Sequence, residues 1–279
     1  MVEFKKYEVV ETCDLCGSKN IRDYFKPGDI VMCVDCRFLF VSPRPSLEDI
    51  QNSYSDDRFY DNWISESKGR LKMWQKRYRQ IRQYIGQSLN ILDYSAGIGT
   101  FIKLAKLDGQ NVFGTELSAS AKNISAKQYG LELFDTDYFF NSKYLDYFDV
   151  VTAWHVVEHV ISPKSLLENF YKVLKPGGWL FVATPNAKAK SLKNLFFKQN
   201  MEETFPKLKM GQEIHLSQFT AETLVRLLIS VGFSIMKVGI DDYHPTPNYK
   251  TILKHYLYLC IHGITRQNYS PTIFILVRK

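Results

Sequence analysis

The sequence has no long hydrophobic run and no secretory signal. None of its apolar stretches reaches about 18 residues, which excludes a conventional membrane-spanning helix. The N-terminal residues MVEFKKYEVVE are charged and lack the apolar segment that signal peptides need. Hydrophobic residues make up 45% of the 279 residues and charged residues 23%, which is typical of a globular protein. We therefore expect a cytoplasmic protein with one large domain and room for a small accessory module.

Cysteine is scarce, and four of the five cysteines form two closely spaced pairs. The pairs are Cys13-x2-Cys16 and Cys33-x2-Cys36, with sixteen residues between them. Two such knuckles are typical of a tetrahedral zinc site with four thiolate ligands. Disulfides are the alternative, but thiols stay reduced in a cytoplasmic protein. We predict a structural zinc ribbon, whereas Cys260 lies in an apolar run that predicts a buried thiol.

The run ILDYSAGIGTF (91–101) lacks the third glycine of a dinucleotide-binding loop. An apolar strand ends at the carboxylate of Asp93, a turn of small residues follows, and a helix begins at Thr100. The dinucleotide fingerprint needs glycine at three positions, and here Ser95 stands at the first and no glycine at the third. The Asp93 carboxylate would also repel a pyrophosphate, whereas it suits a cationic methionine-type ammonium group. A nicotinamide cofactor is therefore disfavoured.

A second acid, Glu116, closes the next apolar run, about one βαβ unit after the first. The strand-end acid, the small-residue loop and this second acid resemble the S-adenosylmethionine (SAM) site of class I methyltransferases. The resemblance implies that Glu116 binds the ribose hydroxyls and that Asp137, or its neighbour Asp135, binds the adenine amino group. The residues that it places at the cofactor are Asp93, Ser95, Ala96, Gly97, Gly99, Glu116, Asp137 and Trp154. Gly97 and Gly99 have no Cβ to hold a ligand off the backbone.

Ser95 departs from the family pattern. At a position expected to need a permissive backbone angle, a serine costs about 1 kcal/mol relative to glycine. The departure bears on how tightly SAM binds more than on which cofactor binds.

Four later segments resemble further strands and a helix of the same superfamily. FDVVTAWHVVEHV (148–160) and LKPGGWLFVATPN (174–186) resemble the fourth and fifth strand regions, HLSQFTAETLVRLLISVGF (215–233) the helix before the sixth strand, and PTIFILVRK (271–279) the last, antiparallel strand. The resemblance implies an α/β fold, a three-layer Rossmann-like sandwich around a mainly parallel seven-stranded sheet. We divide the chain into a zinc-ribbon module (1–45), a helical linker (46–87) and a methyltransferase domain (88–279) with insertions at 186–214 and 241–262.

The two insertions are rich in aromatic residues. The first mixes lysines with Leu195, Phe196, Phe197 and Phe205, which predicts a substrate-facing lid. The second contains Tyr243, Tyr249, Tyr256 and Tyr258 among aliphatic residues. It could form a pocket wall, a dimer surface or a membrane-surface contact.

A basic amphipathic helix is predicted in the linker. Residues 68–82 carry seven positive charges, and apolar residues recur at three- and four-residue spacing, namely Leu71, Trp74, Tyr78, Ile81 and Ile85. One interpretation is a solvated basic face over a packed apolar stripe. The other is a track for a phosphorylated substrate, such as a nucleotide sugar, a lipid-linked glycan or a nucleic acid.

A zinc ribbon before such a domain resembles two arrangements, one in sugar-modifying methyltransferases and one in ribosomal-RNA methyltransferases. Residues 11–40 hold five acidic and four basic residues. A ribbon that grips RNA should carry a clustered positive surface. The composition therefore favours a small-molecule or glycan acceptor.

The candidate catalytic residues lie after the fourth strand and before the last long helix. His155, Glu158 and His159 have the spacing of one helical face, and His215 would enter from the opposite rim. His215 or His155 could serve as the base. The pattern also resembles the E-x-x-E-H motif plus a distant histidine that binds a divalent metal in ubiquinone-pathway and small-RNA methyltransferases. A purely structural role of this motif is the third alternative.

We predict an enzyme that transfers a methyl group from SAM to an oxygen of a sugar, nucleotide sugar or glycan intermediate. The alternatives are O-methylation of a quinone- or phenol-type small molecule, RNA methylation, and a SAM-fold protein without catalysis. The expected cofactors are SAM and one structural Zn²⁺, with a second divalent metal at His155, Glu158, His159 and His215 as an option. Peripheral membrane contact and the oligomeric state are left open.

Overall fold

The computed structural model describes residues 4–53, 67–189, 205–241 and 249–279. The strands are β1 (Tyr7–Glu8), β2 (Ile21–Phe25), β3 (Ile30–Cys33), β4 (Leu39–Val41), β5 (Arg44–Pro45), β6 (Asn90–Tyr94), β7 (Asn111–Gly114), β8 (Phe148–Trp154), β9 (Leu174–Pro185), β10 (Ser217–Gln218), β11 (Ser234–Gly239) and β12 (Thr272–Arg278). The helices are α1 (Leu47–Ser53), α2 (Ser67–Arg82), α3 (Thr100–Leu107), α4 (Ala119–Tyr129), α5 (Pro163–Val173), α6 (Ala221–Val231) and α7 (Tyr249–Thr265).

The central sheet has the strand order β11-β12-β9-β8-β6-β7. Strands β9, β8, β6 and β7 run parallel to one another, and β12 is antiparallel to both of its neighbours. The Rossmann-like α/β fold and the antiparallel last strand are confirmed. The predicted seventh strand is reduced to a single bridge between Thr115 and Phe134, because the chain enters a turn at Thr136.

Side chains of the sheet alternate between two helical layers. Leu92, Val151 and Val182 belong to the core beneath α5 and α6. Their chain neighbours Ile91, Val150 and Phe181 belong to the core beneath α2 and α3. Because successive residues of a strand point to opposite faces, one sheet supports both layers.

The N-terminal strands form a second sheet that includes a strand from far along the chain. Its order is β10-β4-β3-β2, with Ser217 opposite Phe40. Phe205 is buried among apolar residues of this sheet, namely Ile30, Met32, Leu39 and Val41. The prediction that Phe205 faces the substrate is therefore wrong, since the ribbon gives it an apolar site to fill. Leu195, Phe196 and Phe197 lie outside the described residues. The division into modules stays a prediction.

Helix α2 has a more complex outer face than its pattern predicts. Trp74, Tyr78 and Ile81 are buried, as expected, whereas Leu71 is exposed. Arg77 is also buried, so it does not belong to a solvated basic face. A buried arginine needs a partner that compensates its charge, and that partner is described with the site below.

Helix α7 contains no buried side chain. Cys260 is exposed on it, which corrects the expectation of a buried thiol. Tyr243 lies outside the described residues. Within the described ranges, no helix combines the length and apolar content needed to cross a membrane.

Candidate active site

A cavity of about 830 Å³ opens at the carboxyl ends of the parallel strands, where Tyr94, Trp154 and Pro185 line it. Ligands bind at this edge in open α/β sheets. Ligand sites commonly measure about 300–1,000 Å³, so this volume can hold a cofactor together with a small acceptor. Helix α1 supplies Leu47 and Ile50 to the opposite wall.

The loop after β6 has the strained backbone that its glycines predict. The angle φ is 59° at Ser95, 57° at Gly97 and 79° at Gly99. Ser95, Ala96 and Gly97 line the cavity, but Gly99 does not. A Cβ on Gly99 would lie 2.7 Å from Ser125 Oγ, so the missing side chain there makes room for α4 rather than for a ligand.

Asp93 lies behind the cavity wall rather than in it. Its Oδ1 accepts a hydrogen bond of 2.6 Å from Thr152 Oγ1, and only 1% of the residue is exposed. Burial raises the pKa of Asp93 to about 7.

Glu116 ties the cofactor loop to the next turn. One carboxylate oxygen accepts a bond of 2.8 Å from the Gly97 N–H, and the other accepts 2.9 Å from the Ser118 N–H. Each oxygen has further lone pairs that could accept ribose hydroxyls. Asp137 lines the same part of the cavity, whereas Asp135 pairs with Lys122 at the surface. Of the two residues predicted for the adenine contact, only Asp137 lines the cavity.

A buried ion pair stands on the acceptor side. The Arg77 guanidinium lies 4.7 Å from the centroid of the Trp74 ring and 4.6 Å from that of Trp154. Its Nε donates 3.1 Å to Asp241 Oδ1, and its Nη2 donates to Oδ2. Burial opposes ionisation of Asp241, but Arg77 and His155 hold its pKa well below the usual range. Sequence reasoning missed the pair because the partners are 164 positions apart.

His155 does not begin a helix. Its φ is 57°, and residues 157–159 form a turn instead, so the predicted helical face is wrong. The turn still gathers the side chains, because His155 Nδ1 lies 3.5 Å from Glu158 Oε1 and His155 Nε2 lies 3.3 Å from Asp241 Oδ2. Burial would lower the pKa of His155, but these two carboxylates raise it. A raised pKa favours the protonated ring, which has no lone pair to accept a proton, so the assignment of His155 as the base is weakened.

Glu158, His159 and His215 form a compact cluster on the cavity wall. Their ligand atoms lie within 4.8 Å of one another. His159 Nδ1 lies 2.7 Å from the Ile214 carbonyl, which makes Nδ1 the donor and leaves Nε2 with a lone pair. Glu158 Oε2 accepts a bond of 2.9 Å from Thr184, while Oε1 is buried and accepts no hydrogen bond within the described structure.

The protonation states of the cluster suit a cation. Burial opposes ionisation of Glu158, but His155 and His159 hold its pKa at about 2. Burial lowers the pKa of His159, which favours the neutral ring that can bind a metal. One carboxylate and two imidazoles form a donor set that divalent metals accept. Of the predicted quartet, only His155 stands outside the cluster.

The four ribbon cysteines are free thiols gathered at one point. Cys13 Sγ lies 3.5 Å from Cys36 Sγ, and Cys16 Sγ lies 3.6 Å from Cys33 Sγ. All four sulfurs fall within 4.8 Å of one another. Sulfurs around one zinc, with Zn–S bonds of about 2.3 Å, lie about 3.8 Å apart. The arrangement fits a zinc ion.

The ribbon contacts both segments that carry the Glu158 cluster. The Asp14 carboxylate accepts 2.7 Å from Ser162 Oγ and 2.8 Å from the Lys164 N–H, at the start of α5. On the other side, the Val41 N–H donates 2.9 Å to the Leu216 carbonyl, and the Leu216 N–H donates 2.8 Å to the Glu158 carbonyl. The four-cysteine ribbon is therefore part of the frame that holds this side of the cavity.

Comparisons with known proteins show the family of the chain. A methyltransferase-domain family matches residues 67–238. The ubiquinone biosynthesis O-methyltransferase of Coxiella burnetii is 27% identical over 178 residues, covering 62% of this chain and 75% of that protein. The protein of the same name from Thiobacillus denitrificans is 32% identical over 162 residues, covering 56% and 68%.

A solved structure shares the fold. A SAM-dependent methyltransferase from Archaeoglobus fulgidus superimposes with a TM-score of 0.54 at 21% sequence identity, covering 78% of this chain and 99% of that one. The family match extends over more than half of the chain and includes most of the residues that line the cavity. The chain therefore belongs to the methyltransferase-domain family and is a SAM-dependent methyltransferase.

Proposed function

We propose that this methyltransferase methylates a ring hydroxyl of a phenol- or quinol-type small molecule, with a divalent metal held by Glu158, His159 and His215. The observation that carries the proposal is the buried Glu158 Oε1, which accepts no hydrogen bond from the described residues. His155 Nδ1, at 3.5 Å, and His159 Nε2, at 3.7 Å, lie near this oxygen without hydrogen-bond geometry, so a divalent ion would give a buried carboxylate oxygen the direct contact it lacks. The two curated relatives, named for O-methylation in ubiquinone biosynthesis, support the same acceptor class.

The chain's own groups would hold the cofactor along one wall. The backbone of Ser95, Ala96 and Gly97 forms the floor, Glu116 accepts the ribose hydroxyls, and Asp137 accepts from the adenine amino group. When bound, SAM supplies an electrophilic methyl group, and a divalent ion supplies a Lewis acid that lowers the pKa of a coordinated hydroxyl. The protein's task is then to place one acceptor oxygen in line with that methyl group.

The acceptor wall carries an apolar patch beside polar side chains. Leu47 and Ile50 from α1 and Met73 and Trp74 from α2 form the patch, while Gln51, Arg77 and Thr272 also line the cavity. An aromatic ring would find apolar contacts on the patch and could place a hydroxyl at the cluster. Together with the two relatives named for ubiquinone biosynthesis, the patch gives the aromatic acceptor more support than the sugar or glycan acceptor predicted from the sequence.

His215 offers a second route for the proton. Its Nε2 lies 3.6 Å from Glu213 Oε2, and the residue lines the cavity. In this arrangement His215 takes the hydroxyl proton itself and Glu213 stabilises the resulting cation. The two routes differ in their response to metal removal.

The structure gives RNA methylation less support than the sequence does. Of the seven cations on α2, Arg77 forms a buried ion pair with Asp241, and Arg82 pairs with Asp108. A salt-dependent gel shift with RNA would restore that alternative.

The test uses a simple dihydroxybenzoate and radiolabelled SAM. The protein is treated with EDTA, checked by elemental analysis for retention of about one zinc per chain, and assayed before and after addition of Mg²⁺, Mn²⁺ or Zn²⁺. We expect turnover to vanish with EDTA and return with one of these metals. Glu158→Gln should reduce turnover about 100-fold or more, whereas Glu222→Gln, on the exposed side of α6, should not.

Full turnover after EDTA treatment would refute a catalytic role for a divalent metal at Glu158, His159 and His215. If His215→Ala also retained full turnover, both catalytic routes would fail, and positioning alone would be the better account.

A further inference from the structure

Helix α7 exposes most of its apolar side chains, which is the reverse of an ordinary surface helix. The partly buried residues recur at helical spacing and are mostly polar, namely Thr251, His255, Tyr258, Ile261 and His262. The exposed side instead carries the apolar residues Leu253, Tyr256, Leu257, Cys260 and Ile264. A surface helix ordinarily buries its apolar face and exposes its polar one. We call the five exposed residues the outer stripe.

The outer stripe is well exposed. Leu253 is 69% exposed, Leu257 56% and Ile264 84%. The helix has 17 residues and is therefore about 25 Å long. A contiguous apolar surface of this length marks a contact with a partner or a membrane.

The charges beside the stripe select among partners. Between residues 249 and 266 the chain has Lys250, Lys254 and Arg266 and no aspartate or glutamate. If two copies of α7 packed through their stripes, these cations would approach one another without an acid on either helix to pair with. An anionic surface complements them instead, and the whole chain carries a formal charge of +7.

We propose that the outer stripe of α7 lies in the surface of an anionic phospholipid bilayer, with Lys250 and Lys254 against the lipid phosphates. An in-plane helix of this kind inserts its apolar side chains between headgroups and gains about 1 kcal/mol from each nearby lysine. The proposal does not depend on the acceptor of the methyl group.

The attachment of α7 places this contact beside the cavity. The excursion that carries α7 leaves the core at Asp241 and returns at Thr272, and Thr272 Oγ1 donates 2.6 Å to the Asp241 carbonyl. Thr272 lines the cavity, and Asp241 binds His155. Lipid contact by α7 would therefore be made by a segment anchored at the acceptor side.

The experiment is co-sedimentation of the full chain with vesicles of phosphatidylcholine alone or with phosphatidylglycerol added. We expect binding to the anionic vesicles only. The variant Leu253→Glu/Leu257→Glu should lose at least about tenfold in vesicle affinity. Its matched control is Ile229→Glu/Met236→Glu, which changes two side chains of similar exposure elsewhere and should bind like the wild type.

A second variant tests the charges. Lys250→Glu/Lys254→Glu should lose about tenfold or more on anionic vesicles, since each lysine contributes about 1 kcal/mol. Equal binding to neutral and anionic vesicles would overturn the proposal that α7 recognises anionic lipid. No vesicle binding, together with a dimer in sedimentation velocity that Leu253→Glu/Leu257→Glu dissociates, would assign the stripe to a second copy and overturn the bilayer.

Discussion

The two walls of the cavity are built in different ways. The cofactor wall is held by bonds between near neighbours, such as Glu116 to the N–H groups of Gly97 and Ser118, across 19 and 2 positions. The acceptor wall is held by side chains that are distant in the sequence. Arg77 meets Asp241 across 164 positions, and Asp14 of the ribbon meets Lys164 across 150.

The difference has a physical consequence. A wall made of local turns forms wherever its own strand, loop and helix form, whereas a wall of long-range buried contacts needs the whole tertiary structure. We expect damage to the ribbon or to the Arg77 pair to change acceptor chemistry while sparing cofactor binding. The predictions below try to break this separation, beginning with the largest effect.

Cys36→Ser should abolish the zinc site, because structural zinc requires all four thiolates to hold the ribbon folded. We expect loss of about one zinc per chain, faster amide exchange at 158–164 and 214–219, and turnover lower by about 100-fold. SAM affinity should stay within about threefold. Cys260→Ser is the control. Unchanged exchange at both segments would show that the ribbon does not frame the acceptor wall.

Asp241→Asn should cost about 3–5 kcal/mol in the free energy of unfolding, because it leaves the buried Arg77 cation uncompensated. Asp108→Asn breaks an arginine–aspartate pair whose side chains are about one third exposed, and should cost below about 1 kcal/mol. Urea denaturation measures both. Equal costs for the two variants would mean that burial does not distinguish the pairs.

Asp93→Asn should stabilise the SAM-free protein at high pH. The folded pKa of Asp93 is about 7, above the unfolded value of 3.8, so ionisation in the unfolded chain removes stability as the pH rises from about 4 to about 7. Between pH 5 and pH 8 the wild type should lose about 2–3 kcal/mol that the asparagine variant keeps. Asp135→Asn, at an exposed carboxylate, should follow the wild type. If the free energy of unfolding changed with pH in the same way for Asp93→Asn and the wild type, the raised pKa of Asp93 in the folded protein would be contradicted.

Ser95→Gly should have the smallest effect. At a φ of 59° a serine is strained, so glycine should leave the stability equal or raise it by up to about 1 kcal/mol, with SAM affinity unchanged or improved. Ser95→Ala retains the strain but removes the hydroxyl, which separates the two contributions. Weaker SAM binding in both variants would mean that the hydroxyl contacts the cofactor.

The cofactor wall was largely predictable from sequence. Its signals are local, since small residues in a strand-to-helix turn and an acid one βαβ unit later are adjacent in both sequence and space. Ser95, Gly97 and Glu116 therefore lie where the pattern puts them. The error at Gly99 has the same origin, because a pattern reports that a Cβ is excluded but not whether a ligand or α4 excludes it.

The acceptor wall was only partly predictable. Spacing together with a family resemblance indicated His215 and the Glu158–His159 pair, whereas no local signal joins Arg77 to Asp241. Arg77 reads as one more cation on a basic helix until the fold places two tryptophan rings and a carboxylate around it. The turn at His155 was mistaken for a helix because three- and four-residue spacing is common to both.

Calorimetric titration of SAM into Glu116→Ala and Glu158→Gln tests the separation of the two walls most directly. Glu116→Ala removes the carboxylate that accepts the Gly97 and Ser118 N–H groups and that we propose to bind the ribose, a loss of about 2–4 kcal/mol that should weaken SAM binding by about 30-fold or more. Glu158→Gln should bind SAM as the wild type does and lose only its binding of a divalent ion beyond the ribbon zinc. Wild-type SAM affinity in a folded Glu116→Ala protein, or a comparable loss in Glu158→Gln, would contradict this account.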